Sequence, residues 1–319
     1  MRRSMLGATA PLVWVVALAA HGEAPASYAG IKKAIDQVAI VDTHDHLLPF
    51  EMLPGYSETD KGWGMNLAGV WRTGYYTWTS RLTPYGPKQP FAEWWRTAQH
   101  DFDNARAMSF YRYMLPAFQD LYDVDFDRIT PAHAQSLDDR IFENYKDQRW
   151  LYHVVTERAN IEIMFNDPYW ARLDYTPYYP FEMRVLNVST LHRGFNPSEY
   201  TNPNDSPYAF AKKENMPVKT LDDYLAVIER LFEKAKAAGS VCLKTTIAYE
   251  RSLHFENAPR EAAEQAFGRV RSEVTPEQIT AFEDFIMWRL VEFSAKYDMP
   301  FQIHTGDARI QGSNPMLIV

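Results

Sequence analysis

The stretch Val41-Asp42-Thr43-His44-Asp45-His46-Leu47 decides how this chain is read. Together with the preceding Ala39-Ile40 it runs from apolar and β-branched residues straight into polar ones, the pattern of a buried strand that ends in a polar edge. Side chains alternate along a strand with period two, so His44 and His46 share a face with Asp42 below them. Two imidazoles so placed can bind one metal ion. With nine histidines in the chain the bare triplet carries little weight. Its place at a strand end, after an aspartate, favours a metal pair over a structural, hydrogen-bonded one.

Outward from this strand, four more follow the same pattern: Ile161-Glu162-Ile163-Met164-Phe165, Met183 to Val188, Ser240 to Ile247 and Pro300-Phe301-Gln302-Ile303-His304. Helices are expected before and between them. A short one covers Ile31 to Val38. Thr220 caps one with apolar face Leu221, Leu225, Ile228, Leu231 and Phe232, stopped at Gly239. Thr275-Pro276-Glu277-Gln278 has the capping-box order for another, whose face is Ile279, Phe282, Ile286 and Leu290. Strand, helix, strand in this order predicts an α/β fold with a parallel sheet, in which chemistry gathers at the C-terminal strand ends. Residues from about 50 to 150 break the alternation. They hold Trp63, Trp71, Trp78, Trp94 and Trp95 and show helical spacing in Phe110-Tyr111, Met114-Leu115, Phe118 and Leu121, which predicts a mostly helical insertion after the first strand.

His304 ends the last strand and could bring a third imidazole across the sheet. Lys244 stands among apolar residues on its strand, and an ammonium is costly to bury without a reason. A carbamylated metal bridge, a cation for a substrate carboxylate and a base are the functional options; a lysine reaching the sheet rim is the structural one. Tyr249 and Arg251, just beyond, are candidate substrate contacts. Asn187-Val188-Ser189 matches a glycosylation sequon but falls on a buried strand and is set aside. No phosphate-binding glycine loop, dinucleotide fingerprint, nucleophile elbow or His-Glu-x-x-His motif occurs.

Composition narrows the partners. The 33 basic and 41 acidic residues leave a net charge of −8, which disfavours a nucleic-acid surface and leaves a small molecule as the expected partner. Cys242 is the only cysteine, so any metal must be held by histidine and carboxylate. Arg2 and Arg3 precede an apolar run of about 16 residues, short of the roughly 20 that span a bilayer. Residues 1–26 therefore read as a signal peptide, with a periplasmic or secreted product and no membrane association after cleavage.

The strand bearing His44 and His46 resembles the first-strand signature of the amidohydrolase superfamily. Leu243 to Leu253 and Gln302-Ile303-His304-Thr305-Gly306 resemble its amidohydrolase-2 branch, notably the amidohydrolase-like half of nodulin/glutamine-synthetase fusion proteins. The resemblance runs from about residue 31 to the end and implies a metal-dependent (β/α)8 TIM barrel over 31–319. It implies His44 and His46 as first-strand ligands, His304 as the fifth-strand ligand and Lys244 as the fourth-strand lysine, around one or two divalent ions, Zn2+ foremost. It further implies three strands beyond the fifth and an eighth-strand aspartate for the proton. The sequence ends at Val319, so an incomplete barrel of about five strands is expected, with Asp307 the nearest substitute carboxylate. The implied activity is hydrolysis of an amide, ester or similar C–N or C–O bond by metal-activated water. A lyase (decarboxylase) or isomerase on the same barrel, or an inactive metal-binding fragment, are the alternatives.

Overall fold

The structure, a computed structural model, describes residues 26–305, so Asp307 and nearly all of the leader lie outside the described residues. Two compact units divide at Ala39. In the first, helix α1 (Ala26–Ile35) starts earlier and stops sooner than the expected Ile31 to Val38, because Ala26 and Ala29 favour the helical state before the apolar residues begin. Tyr28, Ile31 and Ile35 on it are exposed. No helix among the described residues is long and apolar enough to cross a membrane.

The second unit is built on strands β1 (Ile40–Asp45), β2 (Ser57–Thr59), β3 (Gly62–Gly64), β4 (Ile161–Asn166), β5 (Glu182–Asn187), β6 (Cys242–Thr245) and β7 (Phe301–Ile303). Five of them form one parallel sheet in the order β1-β4-β5-β6-β7, while β2 and β3 make a separate antiparallel hairpin that the sequence pattern did not reveal. The sheet is curled. Flat strands would put its two edges about 19 Å apart, yet the Gln302 side-chain amide on β7 donates to the Thr43 carbonyl on β1 at 2.8 Å. This is a half-barrel, an incomplete form of the (β/α)8 architecture.

Between β1 and β4 lie α2 (Leu67–Thr73), α3 (Tyr76–Thr79), α4 (Phe91–Ala105), α5 (Ser109–Arg112), α6 (Leu115–Tyr122), α7 (Pro131–Asn144) and α8 (Gln148–Tyr152). The helical spacing from Phe110 to Leu121 is split into α5 and α6 because Pro116, which has no N–H to donate, sits in the first turn of α6. These helices bury a core of their own. At its centre Trp71 is wholly buried, with the rings of Tyr76, Phe102, Tyr111, Phe118 and Phe126 at centroid distances of 5.0 to 5.4 Å.

Beyond β5 come α9 (Pro207–Lys213), α10 (Leu221–Ala237), α11 (Arg260–Glu264) and α12 (Pro276–Tyr297). Thr220 and Thr275 both form full capping boxes, and Gly239 takes the positive φ of +93° that the turn after α10 needs. Leu186 and Leu243, paired in register across β5 and β6, pack with Ile228, Leu231 and Phe232 of α10 and Phe282, Ile286 and Leu290 of α12. That face of the sheet is the hydrophobic core. Trp71→Ala should therefore lower the unfolding free energy by about 3 to 5 kcal/mol, measured by urea denaturation; a loss below about 1 kcal/mol would mean the aromatic cluster does not hold the helical segment together.

Candidate functional site

Since one face of β5, β6 and β7 packs on the helices, strand alternation turns the next residues the other way. Asn187, Lys244 and Gln302 are paired in register and form one polar layer on the concave side of the sheet. A filled barrel interior would carry bulky apolar residues in such a layer. Here it meets the histidines of the first strand.

Asp167, the residue after β4, joins these elements. It is wholly buried. Its backbone N–H donates to the Asp45 carbonyl at 2.9 Å, its carbonyl accepts from His46 Nδ1 at 2.9 Å, and its Oδ1 accepts from Asn187 Nδ2 at 2.6 Å. Oδ2 lies 3.8 Å from His46 Nδ1 and has no hydrogen-bond donor among the described residues. Because a carbonyl can only accept, His46 must carry its proton on Nδ1, which leaves the Nε2 lone pair for a ligand. The His44 and His46 rings stand edge to face, 4.8 Å between centroids, and Tyr169 packs on His46 at 5.3 Å. Backbone bonds from His44 N to Asp42 Oδ1 (3.1 Å) and from His46 N to Asp45 Oδ1 (2.6 Å) shape the turn that presents them.

Desolvation of its ring, then the positive charge of Lys244, hold the His44 imidazole below its ordinary pKa, which favours the neutral form. Lys244 is 6% exposed, and burial lowers its pKa while the Asp167 carboxylate opposes the shift. Cys242, one step down the same strand, is pushed up to about 11 by burial and remains a thiol.

His44, His46 and Lys244 thus come together around Asp167. The His304 ring lies against Tyr249, tilted by 37° with centroids 4.4 Å apart, and its backbone N–H donates to the Thr245 carbonyl. Arg251 is committed to Glu283 (2.8 Å), Asp284 (2.7 Å) and the His254 carbonyl (3.1 Å), which makes it a brace between the β6 loop and α12. Among the described residues no three His, Cys, Asp or Glu side chains converge on one point where a metal would sit. The donor chemistry nevertheless fits a divalent ion at two positions: His46 is fixed in the ligating tautomer by a carbonyl partner, and His44 is held neutral.

Sequence reading missed three residues. Asp167 follows Asn166 at the end of an apolar run, the same signal that singled out His44. Asn187 was set aside with the sequon, and the burial that excludes glycosylation is what aims it at Asp167. His192 is buried beyond β5, its Nε2 3.6 Å from Glu250, and nothing in its local sequence marks it.

No protein-family model matches the chain, and no curated protein does. Solved structures share its fold. Glucuronate isomerase from Caulobacter crescentus superposes with a TM-score of 0.62 at 17% identity over 92% of this chain and 62% of that one. Uronate isomerase from Thermotoga maritima gives 0.56 at 13% identity over 84% and 59%. The chain therefore spans about three fifths of the length of these enzymes.

The buried His192 makes a pH prediction. Burial, then the charges of Arg193 and Arg251, push its pKa down from 6.5 to about 3. Below pH 6.5 the unfolded chain takes up a proton that the folded one refuses, so stability falls as pH drops towards 3. His192→Gln should remove roughly 2 to 3 kcal/mol of the loss measured between pH 7 and 4.5 by denaturant titration; identical pH slopes in both proteins would show that His192 is not held neutral.

Proposed function

We propose that this chain is the metal-binding part of a metal-dependent hydrolase acting on a small molecule, with His44 and His46 holding a divalent ion, Zn2+ foremost among those that imidazole donors suit. The observation that carries the reading is the hydrogen bond from His46 Nδ1 to the Asp167 carbonyl, the second contact that a ligating histidine needs. When bound, the ion supplies a Lewis acid that lowers the pKa of water towards about 7 and polarises a scissile carbonyl.

The chain's own residues do the rest. Asp167 orients His46 and, through the lone carboxylate oxygen Oδ2, is placed to hold a proton; it takes the role that the sequence assigned to Asp307. Asn187 fixes that carboxylate by its bond to Oδ1. Lys244, whose pKa burial lowers, binds a developing or resident negative charge beside His44, or carries a carbamate. His304 and Tyr249, in ring contact at the ends of β7 and β6, belong to the same reading, with His304 as a further ligand. The helical segment after β1, with its separate core, serves as a cover that excludes water. Export through the leader belongs to the same reading.

A second reading is isomerisation, favoured by the fold likeness to two sugar-acid isomerases. It uses the same residues to hold and move protons without consuming water.

Elemental analysis of purified protein should find about one equivalent of divalent metal per chain, lost in His44→Ala/His46→Ala. Metal content unchanged in the double variant would remove the site. With a turned-over substrate in hand, reaction in ¹⁸O-water should place one heavy oxygen in the product; a product of unchanged mass and altered connectivity would select isomerisation instead.

A further inference from the structure

A cavity of about 560 Å³ opens beside the metal site, among segments that leave the C-terminal ends of β1, β4 and β5. Its size lies within the range of small-molecule sites. Two ring contacts link it to the histidines, His46 to Tyr169 at 5.3 Å and Tyr169 to Trp170 at 5.2 Å, and Trp170 is in the cavity wall.

The wall has two chemistries. Trp170, Tyr175 and Tyr178 supply aromatic surface, and Trp170 and Tyr178 lie nearly parallel, 20° apart with centroids at 6.4 Å. The arrangement is rigid. Arg184, 1% exposed, lays its guanidinium 4.2 Å from the Tyr178 ring centre and anchors Nε to the Thr176 carbonyl at 2.9 Å and to Glu182 at 3.0 Å. Tyr178 in turn donates its hydroxyl to Asp174 at 3.0 Å. The polar side chains Asp174, Thr176, Asn204, Ser206, Lys213 and Glu214 also line it, Glu214 being already paired with Lys234 and Arg230.

Each simple class of guest fails against part of this wall. An apolar molecule would strip water from Asp174, Asn204 and Lys213 without replacing it. A small anion meets the Asp174 and Glu214 carboxylates, while a small cation meets the Lys213 ammonium and finds Glu214 already paired with Lys234 and Asp174 already accepting from Tyr178. A neutral ring that presents C–H faces to the aromatic side and hydroxyls to carboxylate, amide and ammonium satisfies all of it.

We propose that this cavity is a binding site for a neutral polyhydroxylated ring, a monosaccharide unit or its equivalent. Its use as the resting place of the substrate's non-reacting portion rests on the proposed function; the binding itself does not. A substrate so held would reach from the cavity past Tyr169 to the metal.

The test is calorimetric titration of chelator-treated protein with methyl β-D-glucopyranoside and myo-inositol, with sodium glucuronate and indole as charged and apolar controls. The expected result is saturable binding of a neutral polyol with Kd about 1 mM, weakened about tenfold or more in both Tyr175→Ala and Asn204→Ala at unchanged thermal midpoints, and unaltered in His44→Ala/His46→Ala. Absence of binding by both polyols, tighter binding of either control, or loss of binding only in the histidine variant would overturn it. Metal content, measured on the same preparations before chelator treatment, reports separately on the metal reading.

Discussion

Asp167 is the group on which the arrangement at the concave side of the sheet depends. Buried at the end of β4, it ties β1 through its backbone N–H and carbonyl, and β5 through Oδ1. Its negative charge also offsets part of the cost of burying the Lys244 ammonium beside the imidazoles. An uncompensated ammonium there would be expensive. The carboxylate, the lysine and the imidazoles are therefore one electrostatic unit.

The sheet's curl brings this unit together. In register, Asn187, Lys244 and Gln302 form a polar layer, and Gln302 reaches across to β1. The opposite face is paid for by apolar packing against α10 and α12, which leaves the concave side free to be polar. The helical segment between β1 and β4 packs around Trp71, so it and the sheet draw on separate cores.

The β4 to β5 connection runs from the histidine pair to the cavity. Its first residue, Asp167, orients a histidine, and the residues after it, Tyr169, Trp170, Asp174 and Tyr178, carry the surface from the histidine ring to the neighbouring cavity. Buried Arg184 behind that wall gives the aromatic groups a fixed orientation, so a guest pays little to order them.

All five strands of the sheet were legible in the sequence, within a residue or two at their ends, since runs such as Ile161 to Phe165 and Val241 to Leu243 leave a period that local chemistry alone sets, but β1, expected to be buried, is an edge strand with Ile40 and Val41 exposed. The caps at Thr220 and Thr275 were legible for the same reason: a hydroxyl three residues before its partner needs no distant information. His44, His46 and Lys244 stood out because each is a polar residue at the end of an apolar run. What only the tertiary structure decided is which groups meet. Arg251 was drawn to Glu283 and Asp284 on a helix far along the chain, and Asp167 acquired its meaning from a histidine on another strand. Contacts between residues so widely separated are set by strand register and sheet curvature, and neither is written in the neighbourhood of any one residue.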